Sequence, residues 1–305
     1  MLPTRNGSIR LFRLAGIEVF LHWSWFLVAI FEITLRNRHY SSPVFNALEY
    51  VALFVIVLMH EFGHSLACRS VGGKADQIIL WPLGGVAYVS PPQRPGATLW
   101  SIAAGPLVNV VLLPVFFAAW WGAGLLGWPD SLPDVYRLVQ TVAIINTALL
   151  VFNILPIYPL DGGQILRSLL WFPFGRARSL MVASIIGFVG VAFLFGLALY
   201  LHAVWTGILA AFVLMNCIQG FRQARQLTVL EKLPRCAGFA CPACKASPPI
   251  GNFWGCGKCR NVLDAFVTPG MCPHCGESFP ATMCPDCRSS RPVGEWVAAP
   301  PPMRA

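Results

Sequence analysis

The sequence predicts an all-α polytopic membrane protein of about six transmembrane helices, with a small β-hairpin or re-entrant loop and a separate cysteine-rich β module. Two observations predict this class. Hydrophobic residues make up 56% of the 305 residues and charged residues only 11%, whereas a soluble domain carries about 25% charged residues. Of the eleven cysteines, all except Cys68 and Cys217 lie between Cys236 and Cys287, which sets the C-terminal region apart.

The transmembrane helices are predicted from windows of about 20 apolar residues, the length that crosses a bilayer. Such windows lie near residues 16–34, 45–68, 99–126, 136–156, 179–201 and 203–220. The N-terminus carries positive charge before an apolar run, as a signal peptide does. Because no small-residue cleavage site follows, we expect an uncleaved first span.

The basic residues predict the orientation. The basic residues before the first window, after the second, before the fifth and after the sixth can all lie on one side of the membrane. Arg36, Arg38 and Arg137 then lie on the opposite side. Lysine and arginine concentrate on the cytosolic side of membrane proteins. We therefore expect both termini in the cytosol, most simply at a prokaryotic cell membrane, and we attribute the net charge of +9 to this asymmetry.

Composition divides the chain into four parts. They are a membrane domain at 1–221, a linker at 222–235, the cysteine-rich module at 236–290 and a disordered tail at 291–305. Inside the membrane domain, the stretch KADQIILWPLGGVAYVSPPQRPGA is not a span. Its segments QIILW and GVAYV, separated by proline and glycine, predict two short strands of a hairpin or re-entrant loop.

The stretch LMHEFGHSL places His60, Glu61 and His64 at the end of an apolar span. An ionisable group in the hydrocarbon costs about 2.5–3.5 kcal/mol on insertion scales. A spacing of four puts the two imidazoles on one helix face, and this HExxH arrangement binds zinc, with the glutamate as general base. A chance match is common in soluble helices, but in an otherwise uncharged span each polar residue is penalised, so the metal interpretation is favoured.

A catalytic zinc ion takes three protein ligands, so two histidines need a partner. The candidate acids within or beside the spans are Glu18, Glu32, Glu49, Glu61 and Asp161. Asp161 follows NILPIYPL and precedes two glycines, where prolines and glycines must interrupt the helix. Taken alone it would cap the next helix, but beside an HExxH that needs a carboxylate the ligand role is favoured.

Three motifs carry a resemblance to a known family. HEFGH in the second window, AAGPLVN opening the third and NILPIYPLDGG after the fourth resemble, in the same order, those of the site-2 proteases, which are intramembrane zinc metalloproteases. GIEVFLHWSW and WPLGGVAYV also resemble the family, and the likeness covers about residues 9–220. It implies that His60, His64 and Asp161 bind a catalytic zinc ion and that Glu61 is general base and acid.

The resemblance also includes two asparagines. Asn109 and Asn153 match asparagines of the second and third motifs. They could hold the substrate backbone or the oxyanion. A polar contact between helices is an equally good interpretation of each.

The resemblance implies regulated intramembrane proteolysis, the hydrolysis of peptide bonds in or near transmembrane segments of membrane-protein substrates in the lipid bilayer. The alternative is an inactive membrane scaffold with structural zinc and a protein-interaction module. Glu61 argues against the scaffold, because a structural zinc site needs no general base. A metal transporter would need polar residues along several spans, and the last two windows have almost none.

The C-terminal module contains four Cys-x-x-Cys pairs. In a reducing compartment this pattern indicates zinc rather than disulfides, and two pairs complete a tetrahedral four-sulfur site. We therefore predict a cytosolic double zinc ribbon with two structural zinc ions, with sequential pairing favoured and interleaved pairing left open. The predicted ligands are Cys241, Cys244, Cys256, Cys259, Cys272, Cys275, Cys284 and Cys287.

The module has little electrostatic support for binding nucleic acid. Over the module and the tail together, residues 236–305, basic residues exceed acidic residues by only two, whereas nucleic-acid binding depends on neutralising phosphates. We expect no nucleic-acid partner. A protein partner, or the protease domain itself, fits the module better.

Overall fold

The computed structural model describes residues 7–27, 29, 40–81, 84–287 and 289–296. The chain divides into two compact units, Met1–Phe221 and Arg222–Ala305. The helices, in chain order, are α1 Pro43–Ser70, α2 Pro95–Leu125, α3 Trp128–Ser131, α4 Pro133–Ile154, α5 Asp161–Tyr200 and α6 Val204–Lys232. The predicted helical membrane class is confirmed.

Four helices of the described residues are long and apolar enough to cross a membrane, namely α1, α2, α4 and α5. They cover the second to fifth predicted windows. Gly175 interrupts α5 with a φ of 79°, in the left-handed region that glycine enters without a steric penalty. Helix α6 covers the sixth window and continues to Lys232, so most of the predicted linker at 222–235 is helical.

The prediction of a helix from residue 16 is wrong at its start. Ile17–His22 forms strand β2, which pairs antiparallel with β1, Ser8–Leu14. Ile17 and Val19 are fully buried, and such β-branched residues suit a strand. An apolar count over 20 residues cannot separate a short strand from the helix that follows it. Residues 24–27 are helical, and most of the remaining predicted span lies outside the described residues.

The predicted hairpin is confirmed and belongs to a larger sheet. Strand β3, Lys74–Trp81, pairs antiparallel with β4, Gly84–Ser90, and in parallel with β2. The order β1-β2-β3-β4 leaves β4 at an edge among the described strands. The sheet packs on α1 through one apolar cluster that includes Val57, Ile78 and Leu80, so the hairpin lies beside the HExxH helix.

The second unit is built on short strands and aromatic packing. Its strands are β5 Trp254–Gly255, β6 Val262–Leu263, β7 Ala281–Met283 and β8 Ser290–Pro292, which form two antiparallel pairs. The ring of Phe266 lies 5.0 Å from that of Trp296 and 5.3 Å from that of Trp254.

The predicted disordered tail at 291–305 is wrong for its first residues. Strand β8 and a 3₁₀ helix, Val293–Trp296, occupy them. Trp296 is fully buried, and its carbonyl accepts a hydrogen bond from Ala240 N at 2.7 Å. The indole is buried although the surrounding residues are rich in proline and alanine, and that contact cannot be read from composition. The rest of the predicted tail lies outside the described residues.

Candidate active site and metal centres

Helix α1 presents both histidines of the HExxH motif to one point. The Nε2 atoms of His60 and His64 lie 3.1 Å apart, as expected for positions one turn apart on the same face. Asp161 Oδ2 lies 3.0 Å from His60 Nε2 and 3.4 Å from His64 Nε2. The structure thus brings together the three residues that were predicted as ligands, and both histidines are buried.

Asp161 reaches this point from the interrupted segment between α4 and α5. It is the first residue of α5, and the cap position is Leu160, so the carboxylate is directed to the histidines rather than used as a cap. Local hydrogen bonds join the segment's backbone, including Ile157 N to Leu155 O and Leu160 N to Ile157 O. These bonds satisfy the interrupted backbone within the protein, as membrane depth requires.

Helices α5 and α6 hold this segment closely because glycines face it. A Cβ added at Gly190 would lie 2.6 Å from the Ile157 side chain, and one at Gly220 would lie 2.7 Å from the Tyr158 ring. Cys217 Sγ donates to Tyr158 O at 2.9 Å. The close approach fixes the segment that delivers Asp161.

The ligand set fits a zinc ion. A tetrahedral ion with bonds of about 2.0–2.1 Å separates its ligand atoms by about 3.3 Å, and the three separations here are 3.0, 3.1 and 3.4 Å. Ser101 O lies 2.9 Å from His64 Nδ1, and a carbonyl only accepts, so Nδ1 carries the proton. In the neutral imidazole the lone pair of His64 Nε2 then faces a carboxylate oxygen, an arrangement that a cation between them stabilises.

Gly105, in the AAGPLVN motif, leaves the room that the predicted ligands occupy. A Cβ at this position of α2 would lie 2.3 Å from His64 Nε2 and 2.8 Å from His60 Nε2. Such distances are far inside van der Waals contact. The motif therefore needs glycine here because α2 crosses α1 directly beside the ligand atoms.

Glu61 joins the site to the sheet. Its side chain is buried, and Oε2 accepts a hydrogen bond from Ala87 N on β4 at 2.9 Å. Because the Ala87 N–H points to Glu61 rather than to β3, the outer edge of β4 faces the glutamate. The HExxH motif alone gave no indication of this contact.

The two predicted asparagines differ in their surroundings. Asn109 is fully buried; its Oδ1 lies 2.7 Å from His60 Nδ1, and its Nδ2 donates to Asn146 Oδ1 at 2.9 Å. The alternative of a contact between helices therefore describes Asn109. Asn153 is partly buried on α4, and its substrate role stays a prediction. Asn146 was missed, although an amide side chain inside an apolar window is a signal that could have found it.

The eight predicted cysteines form two clusters, in each of which the sulfur atoms lie within 4.8 Å of one another. The pairing is nested, so the favoured sequential pairing is wrong and the interleaved alternative is not found either. The outer cluster is Cys241, Cys244, Cys284 and Cys287, and the inner cluster is Cys256, Cys259, Cys272 and Cys275.

The nested pairing has a structural cause. The side chain of Trp254 donates to Met283 O at 2.9 Å, and Arg235 binds Asp286 with two hydrogen bonds of 2.7 and 3.2 Å. These contacts draw the end of the module back to its beginning. The first and last Cys-x-x-Cys pairs then meet, and the middle two pairs form the inner cluster.

The second Cys-x-x-Cys pair forms a tight turn that prepares its first cysteine, Cys256, for a metal ion. Cys256 O accepts from Arg260 N at 3.0 Å, and Cys256 N donates to Asn261 O at 2.9 Å. Backbone N–H groups of Cys259 and Lys258 lower the pKa of Cys256 to about 6. A thiolate, the form that binds zinc, is therefore favoured at neutral pH.

Comparison with known proteins gives consistent matches. The model for peptidase family M50 matches residues 49–126 and 130–197. A zinc metalloprotease of Methanocaldococcus jannaschii is 34% identical over 60% of this chain and 51% of its own length, so the chain spans about half of that relative. Stage IV sporulation protein FB of Bacillus subtilis is 30% identical over 72% of each chain. Among solved structures, a site-2 protease from Methanocaldococcus jannaschii matches with a TM-score of 0.51 and 28% identity, over 70% of this chain and 95% of that one.

Proposed function

The chain belongs to peptidase family M50, the site-2 proteases, and from that premise we propose that it is an intramembrane zinc metalloprotease that hydrolyses peptide bonds in or near transmembrane segments of membrane proteins. One observation carries the proposal. Side-chain atoms of His60, His64 and Asp161 lie within 3.4 Å of one another. The two histidines lie on α1, an apolar helix of span length, and Asp161 lies at the start of α5. Glu61, an acid that a structural zinc site does not need, lies beside them on the same helix.

The chemistry divides between the metal and the chain. His60, His64 and Asp161 would hold the zinc ion, which supplies a Lewis acid for the scissile carbonyl and lowers the pKa of a water molecule toward neutrality. Glu61 takes the proton from the attacking water and delivers it to the leaving amine. Since Oε2 is bonded to Ala87 N, we assign the proton to Oε1. Burial of the glutamate and histidines keeps bulk water from the reaction.

The edge of β4 is the proposed platform for the substrate. A helical segment cannot be cut while its carbonyls are bonded within the helix, so the substrate must become extended. An extended peptide can add to an open sheet edge through main-chain hydrogen bonds. The β4 edge faces Glu61 at Ala87, so a strand added there would pass directly beside the proposed base.

We expect Ala87→Pro to reduce cleavage by about 10- to 100-fold, because proline removes the N–H that binds Glu61, and a hydrogen bond to a charged group contributes about 1.5–3 kcal/mol. Ala87→Gly keeps the N–H and serves as the matched control. Cleavage rates in detergent check the prediction. A proline variant as active as the wild type would show that catalysis does not need the Ala87–Glu61 hydrogen bond.

The proposed activity is tested by cleavage of a single-span substrate in detergent by wild type and by Glu61→Gln. Loss of the general base should slow cleavage by about 10²–10⁴-fold while zinc content is unchanged, since all three proposed ligands remain. Glu231→Gln, at an exposed position of α6, is the matched control. Equal rates for wild type and Glu61→Gln contradict the mechanism, and a zinc-loaded wild type that cuts nothing favours the inactive scaffold.

The metal content and orientation complete the proposal. One catalytic zinc ion would be bound in the membrane unit, and one structural zinc ion in each cysteine cluster. The distribution of basic residues supports a cytosolic location for both termini, which would keep the thiolates in a reducing compartment. The double zinc ribbon would bind a protein partner.

A further inference from the structure

A chain of buried amides runs from α4 to the metal ligands. Asn146 Nδ2 donates to the backbone carbonyl of Asn109 at 3.0 Å, and Asn109 Nδ2 donates to Asn146 Oδ1 at 2.9 Å. Asn109 Oδ1 in turn lies 2.7 Å from His60 Nδ1. Asn109 and Asn146 are both fully buried, so the three hydrogen bonds are made away from water.

The backbone carbonyl of Asn109 fixes which atom is the donor in each of these three hydrogen bonds. A carbonyl oxygen only accepts, so the atom of Asn146 that faces Asn109 O must be its NH₂ group. Asn146 Oδ1 is then the acceptor that faces Asn109, which requires the NH₂ group of Asn109 on that side. The oxygen of Asn109 is left to face His60, and Nδ1 of His60 must carry the proton.

This direction matters because a metal ligand needs a free lone pair. In the neutral imidazole with its proton on Nδ1, His60 Nε2 is unprotonated and lies 3.0 Å from Asp161 Oδ2. If the Asn109 amide were reversed, its NH₂ group would face Nδ1 and favour the tautomer protonated on Nε2. That tautomer cannot bind a metal ion through Nε2.

We propose that Asn146 is a positioning residue that acts through Asn109 to set the tautomer of His60 and so prepares its Nε2 as a ligand. The inference rests on the proposed function, because it concerns the metal site of the protease. The hydrogen bonds of the Asn146 amide go to Asn109, which in turn meets His60. It acts by removing the freedom of the Asn109 amide to reverse.

The test measures zinc retention rather than activity. The full chain in detergent is exposed to increasing concentrations of a chelator, and zinc ions per chain are counted by native mass spectrometry. His64→Ala, which lacks a ligand of the membrane site, identifies the zinc ion that belongs there. Loss of an outer hydrogen-bond partner of a metal ligand costs about 10- to 100-fold in affinity, so we expect Asn146→Leu to release that ion at about 10- to 100-fold less chelator.

A double-mutant cycle separates this role from packing. If Asn146 acts through Asn109, Asn109→Leu combined with Asn146→Leu retains the ion no worse than Asn109→Leu alone, whereas independent effects add. Thr147→Val, the neighbouring polar position on α4, is the matched control and should match wild type. Asn146→Ala carries the same test if Asn146→Leu does not fold.

The outcomes are distinct. Unchanged zinc retention in Asn146→Leu, or additive losses in the double variant, overturns the positioning role and leaves the proposed function standing. A wild type with no more zinc than His64→Ala overturns the metal site itself, and the proposed function with it.

Discussion

Gly105→Ala is expected to abolish zinc binding at the membrane site and, with it, proteolysis. The added methyl carbon would lie 2.3 Å from both Cε1 and Nε2 of His64 and 2.8 Å from His60 Nε2. Neither ring can move away freely, because Ser101 O and Asn109 Oδ1 hold their Nδ1 atoms at 2.9 and 2.7 Å. We expect the affinity for the membrane zinc ion to fall by at least about 100-fold, which exceeds the usual effect of losing a hydrogen-bond partner of a metal ligand.

The same substitution elsewhere on α2 provides the control. At Gly122 an added Cβ meets no atom of the described residues within 4 Å, and alanine is the better helix former by about 1 kcal/mol. Gly122→Ala should therefore keep its zinc ion and its activity. The zinc ion of the membrane site is the one that is absent from His64→Ala. A Gly105→Ala chain that still holds this ion would show that the ligand cluster is arranged differently from the one described.

The second large effect concerns the cysteine module. Replacing Cys241 and Cys244 together with Cys284 and Cys287 by alanine is expected to remove one zinc ion, because all four belong to the outer cluster. Structural zinc contributes about 10–16 kcal/mol of apparent binding free energy, so the fold around that cluster should be lost. The inner cluster keeps all four ligands.

Zinc counting on the full chain distinguishes the possible pairings. With nested clusters, the Cys241/Cys244 variant, the Cys284/Cys287 variant and the fourfold variant each lose the same single ion. With sequential or interleaved pairing the fourfold variant would lose both ions of the module. Two ions lost would therefore contradict the nested arrangement.

The parts of the site that the sequence predicted are those fixed by local geometry. The spacing of His60 and His64 sets a shared helix face whatever surrounds it, and each Cys-x-x-Cys pair closes its own turn. Asp161 required the additional argument that two histidines need a carboxylate at membrane depth. These predictions needed no knowledge of which distant elements pack together.

The parts that were missed depend on tertiary contacts. The strand at Ile17–His22 forms because it pairs with β1 and β3, and an apolar window carries no information about such partners. Nested cysteine pairing follows from contacts such as Arg235 with Asp286, which are 51 residues apart. The role of Asn146 appears only once its amide is seen to meet Asn109.

The proposed site lies inside the membrane, and the position of the cut in a substrate shows whether hydrolysis occurs there. His60 lies ten residues before the Ser70 end of α1, which is about 15 Å at 1.5 Å per residue. Mass spectrometry of the products from a single-span substrate, reconstituted with the protein in liposomes, locates the hydrolysed bond. We expect a cut within the transmembrane segment, on its cytosolic side, that is missing with Glu61→Gln. A cut confined to the soluble flanks of the substrate, or one that Glu61→Gln also makes, would contradict this expectation.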